Sequence, residues 1–172
     1  YKNSYSKKTI LKFKKYSNLR VIGMGGSILG TEAIYDFLRA KIKKKFFFIN
    51  NLKSKIKNFD KKKQYLNLIV SKSGNTLETI SNTNVIIENK DKNIFITENK
   101  KSYLNLLARK LKSEIIHHNN FIGGRYSVLS EVGMLPAELM GLNVAKFKQL
   151  NTLIKNEKFF EELVKSVNNT VY

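Results

Sequence analysis

The chain has 172 residues, a formal net charge of +19 and no cysteine. That length suits a single domain with a sizeable core, the missing cysteine excludes a disulfide framework and thiolate chemistry, and no apolar run approaches the roughly 18 residues that a membrane-spanning helix needs. The charge calls for anionic partners, yet the lysines are dispersed, and arginine, the residue suited to bidentate phosphate and base contacts, stands only at Arg20, Arg39, Arg109 and Arg125.

The opening "YKNSYSKKTILKF" lacks the apolar core of a secretory signal. A start at Tyr1 rather than Met, and an end inside "NNTVY", give the expectation of a segment cut from a longer protein. "LRVIG" (Leu19–Gly23) is the first predicted strand, and "VIGMGGSILG" (Val21–Gly30) crowds glycines behind it. As spacing it fits the dinucleotide fingerprint GxGxxG poorly, because Gly23, Gly25 and Gly26 are followed by Ser27 and the fourth glycine arrives only at Gly30. Helical periodicity covers Ile28–Lys44, and "FFFIN" (Phe46–Asn50) is the second strand. Leu52–Lys63 stays open between a short helix in "LKSKIKNF" and a loop, with "DKKK" exposed.

The strands "LNLIVS" (Leu66–Ser71), "NIFIT" (Asn93–Thr97) and "EIIHH" (Glu114–His118) then alternate with predicted helices over Thr76–Asn89 and Ser102–Leu111, the latter capped by Ser102. Past Arg125 the pattern is helical only, with Leu129–Gly141 and Asn156–Asn168 as the helices and Pro136 expected to kink one or mark a start. This rhythm calls for an α/β fold, a parallel sheet with helices on both faces.

In such a sheet the ligand lies outside the carboxyl ends of the strands, near a switch in strand order. Three strand ends are unusual. Gly23, Gly25, Gly26 and Ser27 let backbone approach a ligand and offer a hydroxyl. "SKSGNT" (Ser71–Thr76) puts three hydroxyls, an ammonium and a glycine turn at a helix start, where amide groups and the helix dipole favour an anion. "GGRYS" (Gly123–Ser127) turns tightly and aims one arginine. Each alone also reads as an ordinary turn, cap or exposed loop; their occurrence at three ends of one sheet is what argues for a site. His117 and His118 read as structural.

"GMGGSILG", "SKSGNTLET" and "GGRYSVLSEVGMLPAELMGLNV", in that order and at these separations, resemble the first sugar-isomerase (SIS) domain of the phosphoglucose isomerase family over Leu19–Val144. The resemblance implies a SIS-type three-layer αβα fold with a five-stranded, flavodoxin-like parallel sheet. It also implies a sugar-phosphate-binding domain over residues 1–145, with 146–172 a helical extension leading towards a second SIS domain. By the same resemblance Ser71, Lys72, Ser73 and Thr76 hold the substrate phosphate, Gly26 and Ser27 contact the sugar, and Gly124 and Arg125 lie beside the reacting carbons. Glu78, the glutamate of the "ET" pair, would orient that arginine or its loop. Many members read "SKTFTT" at the second motif, so Gly74 and Asn75 depart from that pattern while keeping the hydroxyl positions.

The implied activity is the glycolytic and gluconeogenic interconversion of glucose 6-phosphate and fructose 6-phosphate through an enediolate, by a cytoplasmic homodimer without cofactor or metal. An enediolate needs a fixed cation, which guanidinium supplies at any working pH, and a carboxylate base. In the family that glutamate lies downstream of "GGR" in a segment with no counterpart here, so the base is not expected in this chain and the chain alone should be inactive. Glu131, Glu138, Glu157, Glu161 and Glu162 follow Arg125 in helical surroundings. A non-catalytic module that senses a sugar phosphate remains the alternative; a basic nucleic-acid binder on the same scaffold is the reading from another class, and its affinity would fall steeply with salt.

Overall fold

The computed structural model describes residues 3–52, 59–149, 153 and 155–170, in two compact units divided between Leu142 and Asn143. The first opens with α1 (Lys7–Phe13), whose free amide at Thr9 is capped by the Ser6 hydroxyl at 3.2 Å. It continues through β1 (Asn18–Ile22), α2 (Leu29–Phe37), β2 (Lys45–Ile49), β3 (Leu66–Val70), α3 (Leu77–Ile86), β4 (Lys92–Glu98), α4 (Tyr103–Lys110), β5 (Glu114–His118) and α5 (Glu131–Leu139). All strand pairs are parallel and the order is β2-β1-β3-β4-β5. Every predicted strand is therefore present, in the three-layer α/β arrangement that the alternation and the resemblance called for.

The register explains the two covered faces. Ile22 pairs with Ile69, Ile69 with Phe95 and Phe95 with Ile115, a row that packs on Ile86 of α3 and on Leu104 and Ala108 of α4. Side chains one residue along point the other way, so Phe46 and Phe48 meet Tyr35 of α2, at 5.3 and 5.5 Å between ring centres. β3, central and buried along its whole length, is apolar except for Asn67. Asn67 joins a buried polar knot toward the amino ends of the strands, where the Arg20 guanidinium pairs with Asp91 at 3.0 Å and lies 3.6 Å from the centre of the Tyr65 ring. Such a pair breaks badly when one partner is removed, and it commits one of the four arginines to structure.

Two helix boundaries differ from the sequence reading. The helix expected over Ile28–Lys44 stops at Phe37 and gives way to a single 3-10 turn, Arg39–Lys41. Ile42 is buried in extended conformation just beyond, and four lysines within Lys41–Lys45 would repel one another on a continued helix. The helix expected from Leu129 starts at Glu131, because Gly124–Leu129 forms a 3-10 segment and Ser130 caps the amide of Val132. Of the ambiguous connection, residues 53–58 lie outside the described ones; Asp60–Lys63 is exposed.

Pro136 lies inside α5. It has no N–H to offer the carbonyl four residues back, that of Val132. The buried Thr31 hydroxyl of α2 donates to that carbonyl instead, at 3.1 Å, so the proline interrupts one bond of the helix without leaving a carbonyl unpaired.

The second unit contains α6 (Val144–Phe147), capped by Asn143, and α7 (Glu157–Thr170), close to the expected Asn156–Asn168. Among the described residues no helix is long and apolar enough to cross a membrane.

Candidate functional site

β1 and β3 are neighbours whose following chains diverge, β1 leading to β2 at one edge and β3 to β4 on the other side. The loops after them flank the switch in strand order, the place where open parallel sheets bind ligands.

The loop after β3 is a fixed cradle of hydroxyls. Ser71, almost fully buried, lies 2.9 Å from the Thr76 hydroxyl and accepts from the amide of Gly74 at 3.1 Å; Ser73 lies 3.5 Å from Thr76 and accepts from the amide of Asn75. Thr76 ends the loop as the N-cap of α3 without spending its side chain on a capping bond. Gly74 and Asn75 face elsewhere. Gly74 has φ +67°, and a Cβ there would lie 2.7 Å from Ser102 Cβ and 2.8 Å from Thr97 Oγ1. Its carbonyl accepts from Leu104, and Asn75 Oδ1 accepts from the amide of Tyr103. The two positions that depart from the resembled motif thus fasten the loop to α4, while the hydroxyls stay grouped at the start of α3.

Lys72 has other partners. Its ammonium donates to the Asn120 carbonyl at 2.7 Å and lies 3.5 Å from Glu98. Burial acts to raise the Glu98 carboxyl, but Lys100 and Lys72 outweigh it and hold the group below the ordinary glutamate range.

The loops after β1 and β5 meet backbone to backbone. A Cβ on Gly26 would lie 2.6 Å from the Arg125 nitrogen and closer still to the Gly124 carbonyl group. Ser127, 1% exposed, stitches the seam: its hydroxyl donates to the Gly124 carbonyl at 2.6 Å and sits 3.2 Å from that of Gly26. The residues following the two glycines, Ser27 and Arg125, therefore share one seam. Ser27 is half-buried and Arg125 is exposed, and among the described residues no ion pair engages the guanidinium. Glu78 sits half-buried in the first turn of α3, with no ion pair to Arg125 among the described residues.

The family model described as "Phosphoglucose isomerase" matches residues 6–166. The chain belongs to the phosphoglucose isomerase family. It is 36% identical over 156 residues to the glucose-6-phosphate isomerase of Methanocaldococcus jannaschii, an alignment covering 83% of this chain and 38% of that protein. The chain spans about a third of the length of the curated relatives it matches. Among solved structures, a hypothetical protein of Thermus thermophilus superposes with a TM-score of 0.72 at 21% identity, over 87% of this chain and 41% of that one. Tagatose-6-phosphate ketose/aldose isomerase of Escherichia coli superposes at 0.62 and 15% identity, over 82% and 43%. Both likenesses show the shared fold.

Within this phosphoglucose isomerase family member, the structure groups Ser71, Ser73 and Thr76 in one loop and joins Gly26–Ser27 to Gly124–Arg125 in another place, with Lys72 held by Glu98 and Asn120. Sequence reasoning missed Ser127; its only signal was a hydroxyl two residues after the arginine of a glycine turn. His118, read as structural from the sequence, lies 2.6 Å from Glu131 with both side chains buried.

Proposed function

We propose that this chain is the sugar-phosphate-binding part of a cytoplasmic, homodimeric glucose-6-phosphate isomerase. The observation that supports this best is the Gly26–Gly124 seam, which brings the Arg125 loop against the loop after β1, the strand next to the β3 that leads into the hydroxyl cradle; on this reading the cradle takes the anionic end of one small molecule and the seam its reacting end. The phosphate is held by the Ser71, Ser73 and Thr76 hydroxyls and the first amides of α3, with Lys72 adding positive charge from the adjoining strand end. Binding energy from that handle orients the sugar against Ser27 and Arg125. Isomerisation moves a proton from C2 of the aldose to C1 of the ketose: a base takes the C2 proton, the freed pair forms the C1–C2 double bond of an enediolate as the C1=O π pair moves onto O1, and the C2=O bond then forms as the proton is delivered to C1 and the O2 hydroxyl proton passes to O1. The oxyanion of that intermediate faces Arg125. In the family the base glutamate lies in a segment with no counterpart here, so the base is assigned to residues outside this chain, and Glu78 to support of the loop; Glu131 and Glu138 are engaged with His118 and Tyr5.

The test titrates the chain with inorganic phosphate, fructose 6-phosphate and the sugar acid 6-phosphogluconate. Ser71→Ala with Thr76→Ala should weaken all three at least tenfold, whereas Arg125→Ala should weaken 6-phosphogluconate and spare inorganic phosphate. Binding untouched by the double substitution but abolished by salt would favour the nucleic-acid reading. Turnover by the chain alone, lost in Arg125→Ala, would overturn the placement of the base.

A further inference from the structure

β5 ends in a buried polar pair that the proposed chemistry does not use. His118 Nδ1 lies 2.6 Å from Glu131 Oε1, and the two side chains are 1% and 0% exposed. The other ring nitrogen, Nε2, lies 3.1 Å from the carbonyl oxygen of Ile122. Glu131 Oε1 also accepts from the amide of Asn119 at 3.2 Å. These bonds close a ring around the neck of the loop that leaves β5 and returns at α5, the loop bearing Gly124, Arg125 and Ser127.

The bonding partners define the proton count. A carbonyl oxygen can only accept, so Nε2 must carry a hydrogen to bond Ile122. A carboxylate also only accepts, so the short Nδ1 contact needs a second proton, on the ring or on Glu131. The closed ring therefore holds one proton more than a neutral imidazole beside a carboxylate. When that proton leaves, a single hydrogen serves two acceptors, and either the Ile122 or the Glu131 bond is lost; with both groups buried, water cannot replace it cheaply.

We propose that His118 is a positioning residue, a proton-dependent strap between Glu131 and the Ile122 carbonyl that holds the Gly124–Arg125 loop against Gly26. Its consequence for sugar recognition rests on the reading of the site proposed above. Other titratable groups face His118 from the elements packed against β5. From the neighbouring strand, Glu98 stands opposite His118 and is held low by Lys100 and Lys72. From the α1 side, the Tyr5 phenol, pushed up by burial and by Glu138, stays neutral. Glu138 itself sits with Tyr5 at 3.3 Å. On the opposite face α4 presents Leu104 and Ala108.

The experiment compares the 172-residue chain with Glu131→Gln, and with His118→Gln as a second variant, by amide hydrogen exchange across roughly pH 5–9, the range that brackets an ordinary histidine, expressed as protection factors. Glu131→Gln supplies an amide that donates to a neutral Nδ1 while Nε2–H bonds Ile122, so its ring closes without the second proton, whereas His118→Gln is too short to span both partners. In the parent chain, protection of residues 123–129 should be about tenfold higher at the acid end of this range than at the alkaline end. In Glu131→Gln it should show no such pH dependence and in His118→Gln it should be low throughout, with the 66–80 segment unchanged. Equal protection at 123–129 in parent and variants, without a pH step, overturns the strap.

Titration with 6-phosphogluconate then couples it to the site. His118→Gln should weaken binding about tenfold, with no further loss in the Arg125→Ala background and none for inorganic phosphate. Equal losses for both ligands, or in both backgrounds, would show a merely structural role and overturn positioning. If the parent chain binds neither ligand, the proposed function falls, while the exchange result still decides the strap.

Discussion

Substituting Gly26 by alanine tests the seam on which the sugar-binding reading depends. The new Cβ would stand 2.6 Å from the Arg125 nitrogen, and ordinary contact begins near 3.4 Å. The obstacle is backbone on both sides, so no side chain can swing clear. The Gly124–Arg125 segment must retreat by about 0.8 Å or more, and forced overpacking of this kind costs about 1–3 kcal/mol of stability. A misplacement on the order of 1 Å can cost about a hundredfold in a positioned interaction. Calorimetric titration of Gly26→Ala with 6-phosphogluconate should therefore show a Kd weaker by roughly 10–100-fold, about 1.4–2.7 kcal/mol. Inorganic phosphate, held by the separate hydroxyl cradle, should keep its affinity. The reasoning is refuted if Gly26→Ala binds the sugar acid as the parent does, or if both ligands weaken together.

Two further outcomes are expected. Thr31→Val should strand the Val132 carbonyl, lowering stability by about 1–3 kcal/mol and Tm by roughly 3–10 °C, with Thr31→Ser restoring most of it; thermal denaturation followed by circular dichroism checks this. Glu98 is buried and held below the ordinary glutamate value of 4.5 by Lys100 and Lys72 against the pull of burial. A carboxyl depressed in the folded state contributes stability that is present above its unfolded pKa and is lost as pH falls through the folded one. The parent's Tm should thus decline below about pH 4.5, and Glu98→Gln should start lower at neutral pH and decline less steeply over that acid window.

The strands were legible because each is a short apolar run between turn residues, and β3 was especially so, being buried on both faces. The ends of the helices were harder to see. The lysines of Lys41–Lys45 disfavour a longer helix without marking where it ends; its end is set by the need to bury Ile42 and start β2, a tertiary demand. The three loops announced themselves by glycine and hydroxyl content, yet how they meet did not. That Gly26 touches Gly124 does not follow from the strand order, which separates β1 from β5 by two strands; it follows from the packing of α2 on α5, the helices into which the two loops lead. Lys72 stands among the hydroxyls in the sequence, while its partners Glu98 and Asn120 are distant in sequence and could not be read from the motif. His118, read as structural beside His117 at a strand end, and Glu131, a helix-start glutamate, gave no sign of each other. Only burial of both reveals the pair.

The bond between Thr31 and the Val132 carbonyl makes the history of two positions interdependent. With Pro136 in place, residue 31 must offer a hydroxyl; with any other residue at 136, the helix would satisfy its own carbonyl and position 31 would be released to vary. Routes of change that lose the hydroxyl first pass through a weakened intermediate, whereas those that lose the proline first do not. The order in which substitutions accumulate, and not only their identity, is therefore constrained where α2 lies against α5.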